Sequence, residues 1–270
     1  MYKRQRWYVH DNRIFIFASE GCRTSFQAAP ARYLETAEEP PGGTPAQQKR
    51  GQELVELALS GFGGAEPVDG LKSLRLTYQI AYPQKGKEDF LMKKEWLCEF
   101  PGQFREEDSY IGWSGVNVAT AKTGFSTSKQ IAWPLEDSVR AVIVRQFHRE
   151  PIVILKAREE KGFVAIAGRT EKVGEIDVEL LEVGVRGATT TLAIDPKSGR
   201  ILQARFQGRG GAGFGSIVKT FSDFKEVGKL LLPYVRSTEF EGKVITGPKT
   251  TLERIVVNEK LDPKLFEKLE

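Results

Sequence analysis

Histidine and cysteine are scarce in this chain of 270 residues: His10, His148, Cys22 and Cys98 are its full stock. Two histidines so far apart supply no His-assisted nucleophile and no His-rich metal cluster. Two cysteines give no disulfide framework and leave the redox compartment open. Long hydrophobic runs are also missing. Stretches such as Ile152–Leu155 and Leu230–Leu232 fall far short of the roughly 20 residues of a membrane helix, so no transmembrane segment is expected. The formal charge of +4 is small and scattered, which gives no electrostatic footprint for nucleic acid. The glycine-rich stretch Gly208–Gly215 is not followed by Gly-Lys-Ser/Thr, which excludes a phosphate loop, and its single Arg-Gly step reads as a flexible hairpin loop. No secretory leader stands at the N-terminus as written.

The first five residues, Met1-Tyr2-Lys3-Arg4-Gln5, read like a translated sequencing adapter at the end of a metagenomic contig. On that reading the chain is a fragment whose first native residue is near Arg6. Residues 6–35 form a first unit. Trp7–His10 and Arg13–Phe17 are short strand-like runs around Asp11-Asn12, a hairpin pattern, and Ser19 is a good N-cap for a helix over Glu20–Gln27. Cys22 falls in the first turn of that helix, where amides and the dipole favour a thiolate. The order of Tyr8, Phe15, Phe17, Ser19, Cys22, Phe26, Pro30, Tyr33 and Leu34 resembles the C-terminal two-thirds of the YHS domain, a small metal-binding module. The resemblance implies two thiols four residues apart. Here Phe17-Ala18-Ser19-Glu20-Gly21-Cys22 keeps only the second, and one thiol cannot build a soft-metal site. A degenerate structural module is the expectation, with Cys22 as the single metal-ligand candidate.

Residues 36–49, with three prolines in Glu39–Pro45 and no apolar periodicity, read as a linker that leaves the flanking units free to move. From residue 50 onward the pattern is of one large domain. Leu54, Leu57, Ala58 and Phe62 recur at helical spacing, giving a helix over Leu54–Ser60 that ends at Gly63-Gly64. Leu74, Leu76, Tyr78 and Ile80 alternate with polar residues, and Phe90, Met92, Trp96, Cys98 and Phe100 repeat that pattern with Lys94 as the one charge on their face. Cys98 is therefore expected to be an inert core thiol. Phe104–Glu107 and Val116–Thr120 are weaker strand candidates with Gly112–Gly115 as their turn. Pro134 is expected to open a second helix, Leu135–Arg149, with Leu135, Val139, Val142, Ile143 and Phe147 as its stripe and Pro151 as its stop. Strand follows strand thereafter. The last three, Ile217–Phe224, Leu231–Phe240 and Thr250–Asn258, form a meander through short Gly-containing turns. Asp177, Glu179 and Glu182 could be weighed as acid–base groups, but alternation puts the first two on the solvated face, where carboxylates keep ordinary pKa values.

The predicted class is α+β, mainly antiparallel, with one strongly curved sheet and both helices on its concave side. The domain resembles the outer-membrane lipoprotein-sorting family (LolA/LolB-like) over about residues 50–270. Phe62-Gly63-Gly64, Leu71-Lys72-Ser73-Leu74, Asp195-Pro196 with Ser198-Gly199, Phe221-Ser222-Asp223-Phe224, Leu232-Pro233, Val257-Asn258 and Leu261-Asp262-Pro263 with Phe266 carry the likeness. The resemblance implies an open half-barrel with an apolar cavity for an acyl chain, and a periplasmic or envelope location. It also implies an Arg before Pro101 that latches a lid. Phe100 stands there instead, so the latch does not carry over. Strand alternation and the helix stripe together nominate Leu76, Tyr78, Phe90, Met92, Trp96, Phe100, Val139, Val142 and Phe147 as cavity-lining residues. Two functional classes follow. One is a non-enzymatic module that binds a lipid acyl chain, a lipoprotein or a hydrophobic peptide without a cofactor. The other is a structural or sensory accessory domain of a larger, N-terminally truncated protein, with residual metal handling by the first unit. The sequence does not fix the oligomeric state.

Overall fold

A computed structural model describes residues 6–10, 13–17, 20–28, 38–82, 88–120, 122–128, 131–210, 213–246 and 250–267. Its strands and helices run β1 (Arg6–His10), β2 (Arg13–Phe17), α1 (Glu20–Ala28), α2 (Pro45–Gly61), α3 (Ala65–Asp69), β3 (Ser73–Tyr82) and β4 (Phe90–Glu99). Then come β5 (Gln103–Tyr110), β6 (Trp113–Ala119), β7 (Gly124–Ser128), β8 (Ile131–Pro134), α4 (Asp137–His148) and α5 (Pro151–Lys156). The C-terminal half is β9 (Val164–Val173), β10 (Ile176–Val185), β11 (Ala188–Ile194), β12 (Ile201–Gly210), β13 (Gly213–Val227), β14 (Leu230–Phe240), β15 (Lys243–Thr246) and β16 (Thr251–Val257). A 3-10 turn at Pro263–Phe266 follows.

The N-terminal unit is a hairpin of β1 and β2 with α1 beside it, and Phe26 of α1 meets Tyr8 edge-on at 6.2 Å. Ala18, Ser19 and the side chain of Cys22 lie outside the described residues, as do residues 1–5 and 29–37.

The rest is built on one antiparallel sheet of 14 strands in the order β8-β7-β6-β5-β4-β3-β16-β14-β13-β12-β11-β10-β9, with β15 added beside β14. The sheet is curved and not closed: β8 and β9 are its two edges. The expected C-terminal meander is present as β13, β14 and β16, the last joined to β14 through Val235 and Thr251. The glycine-rich stretch is not the long loop expected. Its ladder continues through Gly208–Gly215 to Gly210–Gly213, so only residues 211–212 connect β12 to β13.

One core joins the helices to the inner face. Leu54, Val55 and Ala58 of α2 and Ile152–Leu155 of α5 cluster with Leu76, Leu181, Leu192, Ile194 and Phe221 from the strands. The opposite face carries a separate patch where the 3-10 turn covers Leu97, Val118 and Phe125 with Leu261 and Phe266.

Three helix boundaries differ from the sequence expectation, each for a local reason. α2 begins at Pro45 rather than near Leu54, because Thr44 and Gln47 form a capping box: Gln47 N–H donates to Thr44 Oγ1 (3.3 Å) and Thr44 N–H to Gln47 Oε1 (3.0 Å), with Pro45 at the first helical position. Residues 45–49, assigned to the linker, are thus helix. Residues 38–44 are not a free tether either. Glu38 N–H donates to Gly187 O (2.9 Å), its carboxylate takes Arg149 and the Thr189 amide, and Thr189 Oγ1 donates to Glu39 O (3.0 Å). Pro134 ends β8 instead of opening a helix, and α4 starts at Asp137. Pro151 does not merely stop α4; it is the first residue of α5. Proline forces the residue before it out of the helical region, and Glu150 is extended (φ −73°, ψ 132°). That break puts Glu150 on the wall of the cavity described next.

Candidate ligand-binding cavity

β3, β4 and β5 share one inward face because antiparallel Cα partners point the same way. Tyr78 pairs with Lys94, and Leu76 with Trp96. Trp96 in turn pairs with Glu106, and Cys98 with Phe104. On the other flank of β16, Lys219 of β13 pairs with Thr238 of β14, and Phe221 with Arg236. α4 lies over these strands and presents Val142, Ile143, Gln146 and Phe147. The space enclosed is a cavity of about 330 Å³. Its wall is Tyr78, Ile80, Tyr82, Trp96, Phe104 and the four α4 residues, interleaved with Lys94, Glu106, Asn117, Glu150, Lys219, Arg236, Thr238 and Thr250.

The apolar part of the wall is an aromatic cluster. Phe147 stacks on Phe104 at 4.8 Å, Trp96 meets Phe104 edge-on at 5.4 Å, and Tyr78 meets Trp96 edge-on at 6.3 Å. Edge-on and offset pairs of this kind fix ring orientation as well as burying area.

The charged part is organised as two networks. At one side Lys94 Nζ lies 3.0 Å from Glu106 Oε1 and 3.2 Å from Asp108 Oδ1, and Trp96 Nε1 donates to Glu106 Oε2 at 2.6 Å. Burial lowers the Lys94 pKa, but Glu106 and Asp108 outweigh it and hold the ammonium above its ordinary range. On the other side Glu150 receives Lys219 Nζ on one carboxylate oxygen and Arg236 Nη1 on the other (2.7 Å). Burial raises the Glu150 pKa, and the two cations more than reverse that, so it stays ionised. Both cations also lie over rings, Lys219 over Trp96 (5.6 Å) and Arg236 over Tyr78 (5.3 Å) and Phe221 (5.4 Å).

Three solved structures share this arrangement of strands. An outer membrane lipoprotein-sorting protein domain from Vibrio parahaemolyticus superposes with a TM-score of 0.50 at 12% identity, over 81% of this chain and 97% of its own. A LolA superfamily protein from Nitrosomonas europaea gives 0.52 at 14% identity, over 81% and 97%. A DUF1329 family protein from Desulfovibrio piger gives 0.52 at 11% identity, over 80% and 97%. The fold is LolA-like. No protein-family model and no curated protein matches the chain, so the resemblance of residues 6–35 to the YHS module has no support from these comparisons.

Within this LolA-like sheet, the nominated residues divide. Tyr78, Trp96, Val142 and Phe147 line the cavity. Leu76 lies in the core below it, against Phe62 and Ile152 in a small void. Met92 pairs with Ile80 and Phe90 with Tyr82 on the same face, yet neither is among the cavity-lining residues, and Phe90 meets Tyr82 (6.1 Å) and Tyr110 (5.1 Å). Phe100, where the family latch would stand, packs against Phe147 at 6.3 Å, with Lys156 over its ring. Val139 is 43% exposed and does not reach the cavity. Cys98 is buried in the core, and burial pushes its thiol pKa well up. Sequence reasoning missed the polar wall: Glu106, Asn117, Gln146, Glu150, Lys219, Arg236, Thr238 and Thr250. A signal existed for part of it. Lys219 stands between Ile217 and Phe221, and Arg236 and Thr238 precede Phe240 at the same period of two, so charges occupy inward positions.

The last residue of α4 is one more buried titratable group. His148 Nε2 is 3.0 Å from Arg186 Nη1 and accepts from it. Burial, then the charges of Arg186 and Arg145, push the imidazole down to about 4 against Glu160's opposing pull. The unfolded chain therefore binds a proton that the fold refuses. The contribution to stability is fully present above pH 6.5 and lost as pH falls toward 4, roughly 3 kcal/mol in all. Urea unfolding followed from pH 7 to pH 4 should show this loss, and His148→Gln should flatten that part of the curve; an unchanged slope in the variant would remove His148 as its source.

Proposed function

We propose that this protein is a non-enzymatic binding module of the cell envelope that holds the acyl chain of a lipid or lipoprotein, or a hydrophobic peptide, in the cavity between α4 and the sheet. The observation that carries the reading is the aromatic-walled space of about 330 Å³, at the lower end of ligand pockets. It lies in a sheet that shares its fold with a domain described as lipoprotein-sorting and with a LolA superfamily protein. A sheet left open at β8 and β9 would expose its inner face unless helices or a ligand covered it. The charged residues on the wall are engaged with one another, Lys94 with Glu106 and Glu150 with Lys219 and Arg236, which suits walls and anchors better than acid–base catalysis. Among the described residues no group of three His, Cys, Asp or Glu is placed to hold a metal ion, and no helix is long and apolar enough to cross a membrane.

Each methylene buried against the rings is worth about 0.8 kcal/mol, so a chain of modest length binds usefully. The purified protein is expected to carry lipid visible in native mass spectrometry and, once delipidated, to bind a fluorescent fatty acid saturably. Trp96→Ala enlarges the cavity and should change that affinity severalfold, while the half-buried position limits the loss in melting temperature. No co-purified lipid, no saturable binding and a large stability loss for Trp96→Ala would together leave only a structural accessory domain.

A further inference from the structure

The cavity wall carries three hydrogen-bond donors that no described residue uses. Tyr78 Oη, Arg236 Nε and Thr250 Oγ1 are buried without a hydrogen-bond partner among the described residues. They are neighbours. The Arg236 guanidinium lies over the Tyr78 ring, and Arg236 N–H donates to Thr250 O at 3.3 Å across the junction of β14 and β16. Tyr78 and Thr250 are 5% and 6% exposed, so whatever satisfies these groups must come from the cavity side. A buried donor left unmade forfeits its hydration without replacement, and three in one place on a cavity wall call for an acceptor.

The charge around them says which acceptor. Arg236 and Lys219 share the single carboxylate of Glu150, which leaves this side of the cavity with one positive charge in excess. The other side has the reverse balance, with Lys94 between Glu106 and Asp108. Tyr78 stays a donor at any ordinary pH, since burial pushes its hydroxyl pKa up. The apolar rings of Phe104, Phe147 and Trp96 flank this polar corner on the same wall.

Resting on the binding function above, we propose that the ligand is a single-chain amphiphile with a carboxylate head, and that Tyr78, Arg236 and Thr250 form its head-group subsite. The carboxylate supplies the acceptors that the three donors lack and neutralises the excess positive charge. Its chain runs from that corner along the aromatic wall. A cationic head meets the wrong charge there and offers no acceptor.

The test uses the delipidated full chain with laurate and dodecyltrimethylammonium, which share a chain length and differ in head. Laurate is expected to bind at least about tenfold more tightly, the worth of a hydrogen bond to a charged group. Tyr78→Phe and Thr250→Val each remove one hydroxyl that has no partner among the described residues. Both variants should keep or slightly raise the melting temperature while weakening laurate severalfold and leaving dodecyltrimethylammonium unchanged. Equal affinity for the two amphiphiles, or unaltered laurate binding in both variants, overturns the subsite and leaves the cavity as a non-selective apolar site. A clear loss of melting temperature in both variants also overturns it, because the hydroxyls would then have structural partners. Absence of saturable binding for either amphiphile refutes the binding function itself.

Discussion

Glu150→Ala is expected to lose about 3–5 kcal/mol of folding stability, the range for removing one partner from a buried ion pair. The Glu150 side chain is 3% exposed and holds two cations whose own side chains are 16% and 15% exposed. Without the carboxylate, Lys219 and Arg236 face each other across a cavity wall with only ring faces to lean on. Glu150→Gln keeps the volume and one acceptor and should lose less. Replacing all three charges together, Glu150→Met with Lys219→Met and Arg236→Met, should recover most of the loss, since an apolar substitute for a buried triad is often neutral or better. The folded carboxylate is held below its ordinary 4.5, so its contribution is present above that pH and fades as acid titrates it. Acid unfolding should then come in two stages, His148 protonating first and Glu150 below it. Chemical denaturation of the single and triple variants at neutral pH decides the matter. A Glu150→Ala protein within about 1 kcal/mol of the parent would mean that water reaches the triad.

The half of the cavity built by alternation was legible in the sequence, and the half built by strand pairing was not. Period-two reading of β3 and β4 places Tyr78 and Trp96 on one face, helical periodicity places Val142 and Phe147 on one stripe, and the cavity draws on both. Alternation also marks Lys94 as a lone charge, because the reason for that charge lies on β5. Glu106 and Asp108 stand across from Trp96 and Lys94 only once the register is known. Periodicity names a helix face but not where its cover ends, and Val139, one turn before Ile143, shares the stripe yet stands 43% exposed outside the cavity lining. Proline was ambiguous in the same way. Pro151 reads as a stop until the helix after it is seen, and only then does Glu150 become an inward-turned corner. The capping box Thr44-Pro45-Ala46-Gln47 is a local helix-start signal set among prolines whose composition is that of a linker. The motifs that carry the LolA-like resemblance have a purpose that shows only in the fold, since they meet partners far along the chain. Asn258 Oδ1 accepts from Lys72 N–H at 2.6 Å, and its amide donates to Gly70 O at 3.1 Å, which fastens Val257-Asn258 to Leu71-Lys72-Ser73.

A second such meeting gives the other large expected effect: Gly199→Ala should lose about 2–5 kcal/mol, combining strain at positive φ with overpacking. Gly199 closes the turn between β11 and β12 at φ +70°. Asp195 shapes that turn by accepting from Lys197 N–H (2.9 Å) and Ser198 Oγ, and Gly199 N–H returns to Asp195 O at 2.8 Å. The turn is pressed against the end of α2, where a Cβ on Gly199 would stand 2.1 Å from Leu57 O, and one on Gly61 would stand 2.2 Å from Gly199 O. Backbone meets backbone here, so no side chain can swing away. The Asp195-Pro196 and Ser198-Gly199 motif is thus a docking point that sets α2 on the sheet, and α2 carries Leu54, Val55 and Ala58 of the core. Gly228 provides the comparison. It closes the β13–β14 turn at φ +62° with nothing within 4 Å of its added Cβ, so Gly228→Ala pays the backbone strain alone, about 1 kcal/mol. The difference between the two variants in urea midpoint measures the helix-to-turn contact by itself. If Gly199→Ala proved no worse than Gly228→Ala, α2 would be free to shift, and this motif could not be what fixes its seat on the sheet.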